Sequence, residues 1–218
     1  MNHLKPMATL AGLASLIGIN QAGAGIFIDT SPGTAAPPAT LGGYSMIGFP
    51  ADLSAEGSLT TSLTPPASAP VTGNLTFGTA VEHDQIGSLW STWSHGYAGA
   101  VYYTDSYKLN LTLPGGTLAF YLYLQPNIYD DFTFDVTTES AVETSITING
   151  NGGARYIGVY SDDPLDPVTF VFIKNPAQDA DGFAVGEFGI NVPEPGAFAW
   201  VTALGLAGLV FARRAQTR

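Results

Sequence analysis

The strictest constraint in this sequence is Lys108-Leu109-Asn110-Leu111-Thr112-Leu113, where polar and apolar residues alternate without a break until Pro114-Gly115-Gly116 turns the chain. A period of two puts the three leucines on one face of a strand; a helix would scatter them around its axis. Comparable runs occur at Val71–Thr79, Ala98–Thr104, Thr117–Gln125, Asp131–Thr138, Val142–Ile148, Arg155–Ser161, Val168–Lys174 and Phe183–Asn191. Asp131–Thr138 offers Phe132, Phe134 and Val136 to one side, and Val142–Ile148 offers Val142, Ile146 and Ile148. Thr117–Gln125 is apolar on both sides, as a strand central to a sandwich requires. The Asn149–Gly153 run is a strong turn signal, because several of its positions accept positive φ. Nine such strands with short connections and no helical period between them predict an all-β fold, an antiparallel β-sandwich of jelly-roll type.

The strands occupy residues 71–191 of 218. Residues 25–70, rich in Gly, Pro, Ser and Thr and broken by Pro37-Pro38 and Pro65-Pro66, read as a loop-rich segment with one or two short strands. No cysteine is present, which excludes disulfides, thiolate metal sites and a cysteine nucleophile.

Both ends carry a different pattern. The N-terminus has a charged stretch ending at Lys5, an apolar run from Met7 to Ile19, and small residues at Ala22 and Ala24. This is the layout of a signal peptide over residues 1–24, with Ala22 and Ala24 flanking the cut made by signal peptidase. The C-terminal tail, 192–218, begins with Val192-Pro193-Glu194-Pro195, continues with 17 uncharged residues over 196–212, and ends with Arg213, Arg214 and Arg218. Such a stretch is just long enough for a single transmembrane helix, and the arginines behind it hold its end cytoplasmic, leaving the β-domain outside. Removal of both ends leaves Lys108, Arg155 and Lys174 against 17 carboxylates, a net charge of −14. A domain so acidic repels phosphate backbones, so nucleic acid is not an expected partner.

The ordered motif, apolar span and basic end resemble the PEP-CTERM sorting signal of Gram-negative exported proteins. The resemblance implies processing by an exosortase, a membrane transpeptidase that cuts at the motif. Pro193, Glu194 and Pro195 would be its recognition element, and Arg213 and Arg214 the stop-transfer residues. A looser likeness to the core shared by many PEP-CTERM precursors covers about residues 90–191, carried by Trp93-Ser94-His95-Gly96-Tyr97, GAVYYT, LPGGTLAFYLYLQPN and FAVGEFGIN. It implies a lectin-like sandwich and transfers no ligand residue.

Residue types that carry chemistry are sparse. Glu82-His83-Asp84 sets a base beside two acids, but strand neighbours point to opposite faces, so a solvated edge or turn is the simpler reading. Ser94-His95 lacks the glycine elbow of a hydrolase nucleophile. Asp130 and Asp131, and Asp179 and Asp181, are the candidates for calcium, which takes several oxygen ligands; no other cofactor is expected. Trp90, Trp93, Tyr97, Tyr102, Tyr103 and Tyr107 could supply a sugar-stacking surface, with at least half of them core and with Trp93 and Tyr97 the candidate ligand contacts. The expected function is that of a non-enzymatic exported surface or extracellular-matrix protein associated with exopolysaccharide. The alternatives are a secreted polysaccharide-active enzyme, either hydrolase or lyase, and a calcium-stabilised adhesin.

Overall fold

The fold is taken from a computed structural model that describes residues 25–140 and 143–192. Ala22, Ala24, Val142, Pro193, Glu194, Pro195, Arg213, Arg214, the signal helix and the span 196–212 lie outside the described residues.

The chain is all-β and mostly antiparallel. Its strands are β1 (Ile26–Asp29), β2 (Thr40–Leu41), β3 (Tyr44–Gly48), β4 (Ser58–Leu63), β5 (Leu75–Gln85), β6 (Ala100–Thr104) and β7 (Lys108–Thr112). They continue with β8 (Ala119–Pro126), β9 (Asp131–Thr138), β10 (Glu143–Asn149), β11 (Arg155–Ser161), β12 (Phe170–Lys174) and β13 (Phe183–Asn191). The main sheet runs β1-β11-β8-β13-β6-β5-β7-β12-β9-β10, with β3 added beside β13, β4 beside β5, and β2 beside β3. All nine runs expected from residue 71 onward are strands, with ends shifted by a few residues in several of them.

Phe134 of β9 meets Phe183 of β13 edge to face, with ring centroids 5.3 Å apart, although four strands lie between them along the sheet. The sheet therefore curls on itself and closes over a shared core, as right-handed twist allows. Leu109, Leu111, Phe134, Val136, Ile148, Ile173 and Val185 fill that core and are almost wholly shielded from water. Central strand β8 is buried along its whole length. Phe120, Leu122 and Leu124 enter the main core, while Tyr121 and Tyr123 face a second cluster with Leu41 and Tyr156. That second cluster explains why β8 has no polar face.

Residues 25–70 hold more short strands than the one or two expected of them. They supply four strands, and three of these hydrogen-bond to later ones: Ile26 opposite Ser161, Gly48 opposite Gly189, and Leu59 opposite Glu82. Leu41 seals the second cluster. These short strands take their order from their partners, which is why the serines and threonines of β4 suffice beside β5.

The Asn149–Gly153 turn is a 3₁₀ turn over Gly150–Gly152, and the Asn149 side chain accepts from the amides of Asn151 and Gly152. Gly182 opens β13 at φ +84°, and a Cβ there would lie 2.3 Å from the Thr104 carbonyl oxygen. Gly182→Ala should therefore cost about 3 kcal/mol, combining left-handed strain with the clash. Gly96, at φ +82° with no atom within 4 Å of an added Cβ, isolates the first effect, and Gly96→Ala should cost about 1 kcal/mol. Urea denaturation of both variants measures the difference, and equal losses would show that the Thr104 contact is harmless.

Candidate functional site

The loop between β5 and β6 is tied down by its aromatic residues. Trp90 is buried and donates its indole N–H to Gln125 at 3.0 Å, and the Ser94 hydroxyl donates to the Ala154 carbonyl. This anchoring aims the following residues at β13. Trp93 Nε1 donates to Glu187 Oε2 at 3.1 Å, and His95 Nε2 lies 3.1 Å from the same oxygen. The His95 ring also packs on Tyr123, with centroids 5.1 Å apart.

Glu187 is placed by an irregularity in β13. The pairing with β8 shifts register between Gly186 and Gly189, and Glu187 within the bulge has φ 52°. A non-glycine residue held left-handed inside a strand costs free energy, and such strain concentrates at functional sites. His95 is held at φ 40°. Gly189 lets Tyr121 lie across β13, since a Cβ there would sit 2.1 Å from the ring. The result is a carboxyl, 11% exposed, surrounded by aromatic groups.

Glu187 is one wall of a groove of about 910 Å³, within the size range of ligand sites. Phe49, Tyr97, Tyr102, Tyr121 and Phe188 provide aromatic lining, and Asp52, from the loop between β3 and β4, contributes a second carboxylate. Asp52 accepts from the Ser54 amide and the Tyr102 hydroxyl, each at 2.9 Å, and His83 Nε2 lies 3.9 Å away. Both described histidines thus sit against a carboxylate of one groove.

The two carboxyls are tuned in opposite directions. Burial pushes Glu187 up to about 7, only partly offset by the Trp93 hydrogen bond. Burial also pushes His95 down, so this pair prefers its neutral forms. For Asp52 burial pushes upward too, but the hydrogen bonds from Ser54 and Tyr102 and the nearby His83 outweigh it and hold the group below its ordinary range. At neutral pH the groove thus carries one carboxylate firmly ionised and one poised to gain or lose its proton.

The candidate residues fall out unevenly. Tyr97 lines the groove and Trp93 stands behind Glu187. Trp90 and Tyr102 are buried, whereas Tyr103 and Tyr107 are half-buried. His83 and Asp84 are not a solvated edge: they are 3% and 4% exposed within β5. The strand is covered there on both sides, so alternation takes both residues out of water.

Asp130, Asp131, Asp179 and Asp181 are all exposed. Asp130 accepts from the Asp131 amide and Asp131 from Asn149, while Asp181 stands at φ 49° beside Gly182. Among the described residues no group of three acids or histidines is placed to hold a metal ion, and no helix is long and apolar enough to cross a membrane. Val192 closes the described chain and donates its N–H to Ser45 at 2.9 Å.

Sequence reasoning missed Glu187 and Asp52. A signal for Glu187 exists in Phe183-Ala184-Val185-Gly186-Glu187-Phe188-Gly189, a lone acid between glycines in an apolar strand, which marks a bulge. Asp52 carries no such mark. No family model matches this chain, and no curated protein matches it either.

Proposed function

We propose that this chain is the precursor of an exported surface or extracellular-matrix protein, sorted by exosortase, whose β-domain holds a saccharide chain of the exopolysaccharide in the Glu187 groove. On this reading the curled sheet is a jelly-roll sandwich. The signal peptide, the Val192-Pro193-Glu194-Pro195 motif, the uncharged span and the arginines support the route. The observation that carries the binding role is the groove itself: tyrosine lining at Tyr97 and Tyr121, with polar groups at Asp52 and Glu187 for sugar hydroxyls.

The test is an NMR titration of the domain with hexamers of N-acetylglucosamine and glucosamine. Shifts centred on Tyr97, Gly99 and Glu187 are expected, and Tyr97→Ala should weaken binding about tenfold. Silence with both hexamers, or shifts on another face, would overturn the binding role.

One observation favours a second reading, glycoside hydrolysis. Asp52 and Glu187 line one groove in different protonation states, as a base and an acid must. New reducing ends in the incubated titration mixture would establish it; their absence leaves a binding protein.

A further inference from the structure

Resting on the saccharide reading above, we infer that the groove selects a cationic amino sugar, with the sugar ammonium seated on Glu187 between the Tyr97 and Tyr121 rings. Three observations carry this.

The first is that, among the described residues, Glu187 has no lysine or arginine partner. Its partners at 3.1 Å are an indole N–H and an imidazole that burial pushes toward its neutral form. A shielded carboxyl of this kind either keeps its proton or waits for a positive partner from outside.

The second is that, among the described residues, no lysine or arginine lines the groove. None of Lys108, Arg155 and Lys174 lines it. Lys108 Nζ sits over the Tyr107 ring at 5.4 Å, and the Arg155 guanidinium donates to the Thr147 carbonyl. With Asp52 also lining the groove, an anionic uronic-acid chain would be repelled, and a neutral sugar would give an ionised Glu187 no counter-charge.

The third is the ring arrangement. Gly189 brings Tyr121 across β13 beside Glu187, and Tyr97 lines the same groove while packing against Trp93 at 6.2 Å. A carboxylate set among aromatic faces is a receptor for ammonium, which the rings attract through their quadrupoles. Burial pushes the hydroxyls of Tyr97 and Tyr121 up to about 12, so both rings stay neutral and retain their O–H donors.

Seating an ammonium there ionises Glu187, so binding below neutral pH must release the proton that the empty groove holds. The test is calorimetry at pH 5.5 with glucosamine hexamer, N-acetylglucosamine hexamer and hexalysine, repeated in buffers of different ionisation heat. The glucosamine hexamer should bind at least about tenfold more tightly than the N-acetyl form, as one charged hydrogen bond would give. It should release about one proton per site. Glu187→Gln, which keeps the size and the Trp93 contact, should abolish both the preference and the proton release.

Equal affinity for the two sugars, or a preference that survives Glu187→Gln, would overturn the inference and leave the saccharide groove standing. Hexalysine binding as tightly as the glucosamine hexamer would overturn it in favour of a peptide amine. Absence of binding by both sugars would remove the saccharide reading, and this inference with it.

Discussion

The isolated β-domain should be most stable near pH 5 and should melt about 8 °C lower at pH 8. Asp84 is 4% exposed, its Oδ1 has no hydrogen-bond partner, and burial together with Glu82 and Glu56 pushes its carboxyl up to about 6 against the opposing pull of His83. Glu187 is pushed up to about 7. Both carboxyls bind protons more tightly in the folded chain than in the unfolded one. Their stabilising contribution is complete below the ordinary carboxylate range and is lost as pH rises through about 6 and 7. Each ionisation costs about 2 kcal/mol of stability, after allowance for partial solvent access.

Other groups oppose this trend. His95, pushed down by burial, loses stability as pH falls below the ordinary histidine value. Asp52 and Glu56, held below their ordinary values, lose theirs only in stronger acid. The two raised carboxyls dominate between about pH 5 and 8, and roughly 2 °C per kcal/mol converts their sum into the expected shift. Asp84→Asn should raise the midpoint at pH 8 by several degrees, leave it nearly unchanged at pH 4.5, and flatten the curve between. A midpoint that rises toward pH 8, or an Asp84→Asn variant less stable at pH 8, would contradict the assignment.

The largest effect in the cell should come from the tail. With Pro193, Glu194 and Pro195 all replaced by alanine, the precursor should accumulate in the membrane fraction at its uncut length, and the surface fraction should be empty. Proline has a fixed φ and no amide N–H to give a sheet ladder, which is the sequence's reason to expect a protease to read this motif. The substitution lies beyond β13, whose last residues are fixed independently. Asn191 Oδ1 accepts from the amides of Leu118 and Ala119, and the Val192 amide is bonded to Ser45. The domain of the variant should therefore melt like the parent, which separates failed sorting from failed folding. Normal delivery of the alanine variant to the surface would remove the motif from the route.

Why some of this was legible in sequence and some was not follows from where each residue gets its order. β7 and β9 were plain because their own alternation decides which side is buried: Leu109 and Leu111, Phe132, Phe134 and Val136 all enter the core. β8 was legible for the opposite reason, since a strand apolar on both faces can only be internal. The strands of residues 25–70 were hidden because pairing, rather than pattern, fixes them: β4 leaves Leu59 71% exposed and still runs antiparallel to β5.

The site was half visible. Trp93 and Tyr97 could be chosen by residue type, but the carboxyl that gives them a purpose comes from 94 residues further along the chain. Asp52 approaches from a loop that reads as featureless. Glu82-His83-Asp84 misled because the covering of β5 on both sides is a property of the curled sheet, invisible in three consecutive letters.

One measurement tests the central claim most directly: the intact mass of the protein recovered from the cell surface. A surface protein cut from its anchor should begin near Gly25, end within Pro193-Glu194-Pro195, and carry the acidic β-domain without Arg213 or Arg214. A surface species whose mass still includes Met1 or runs through Arg218 would contradict it.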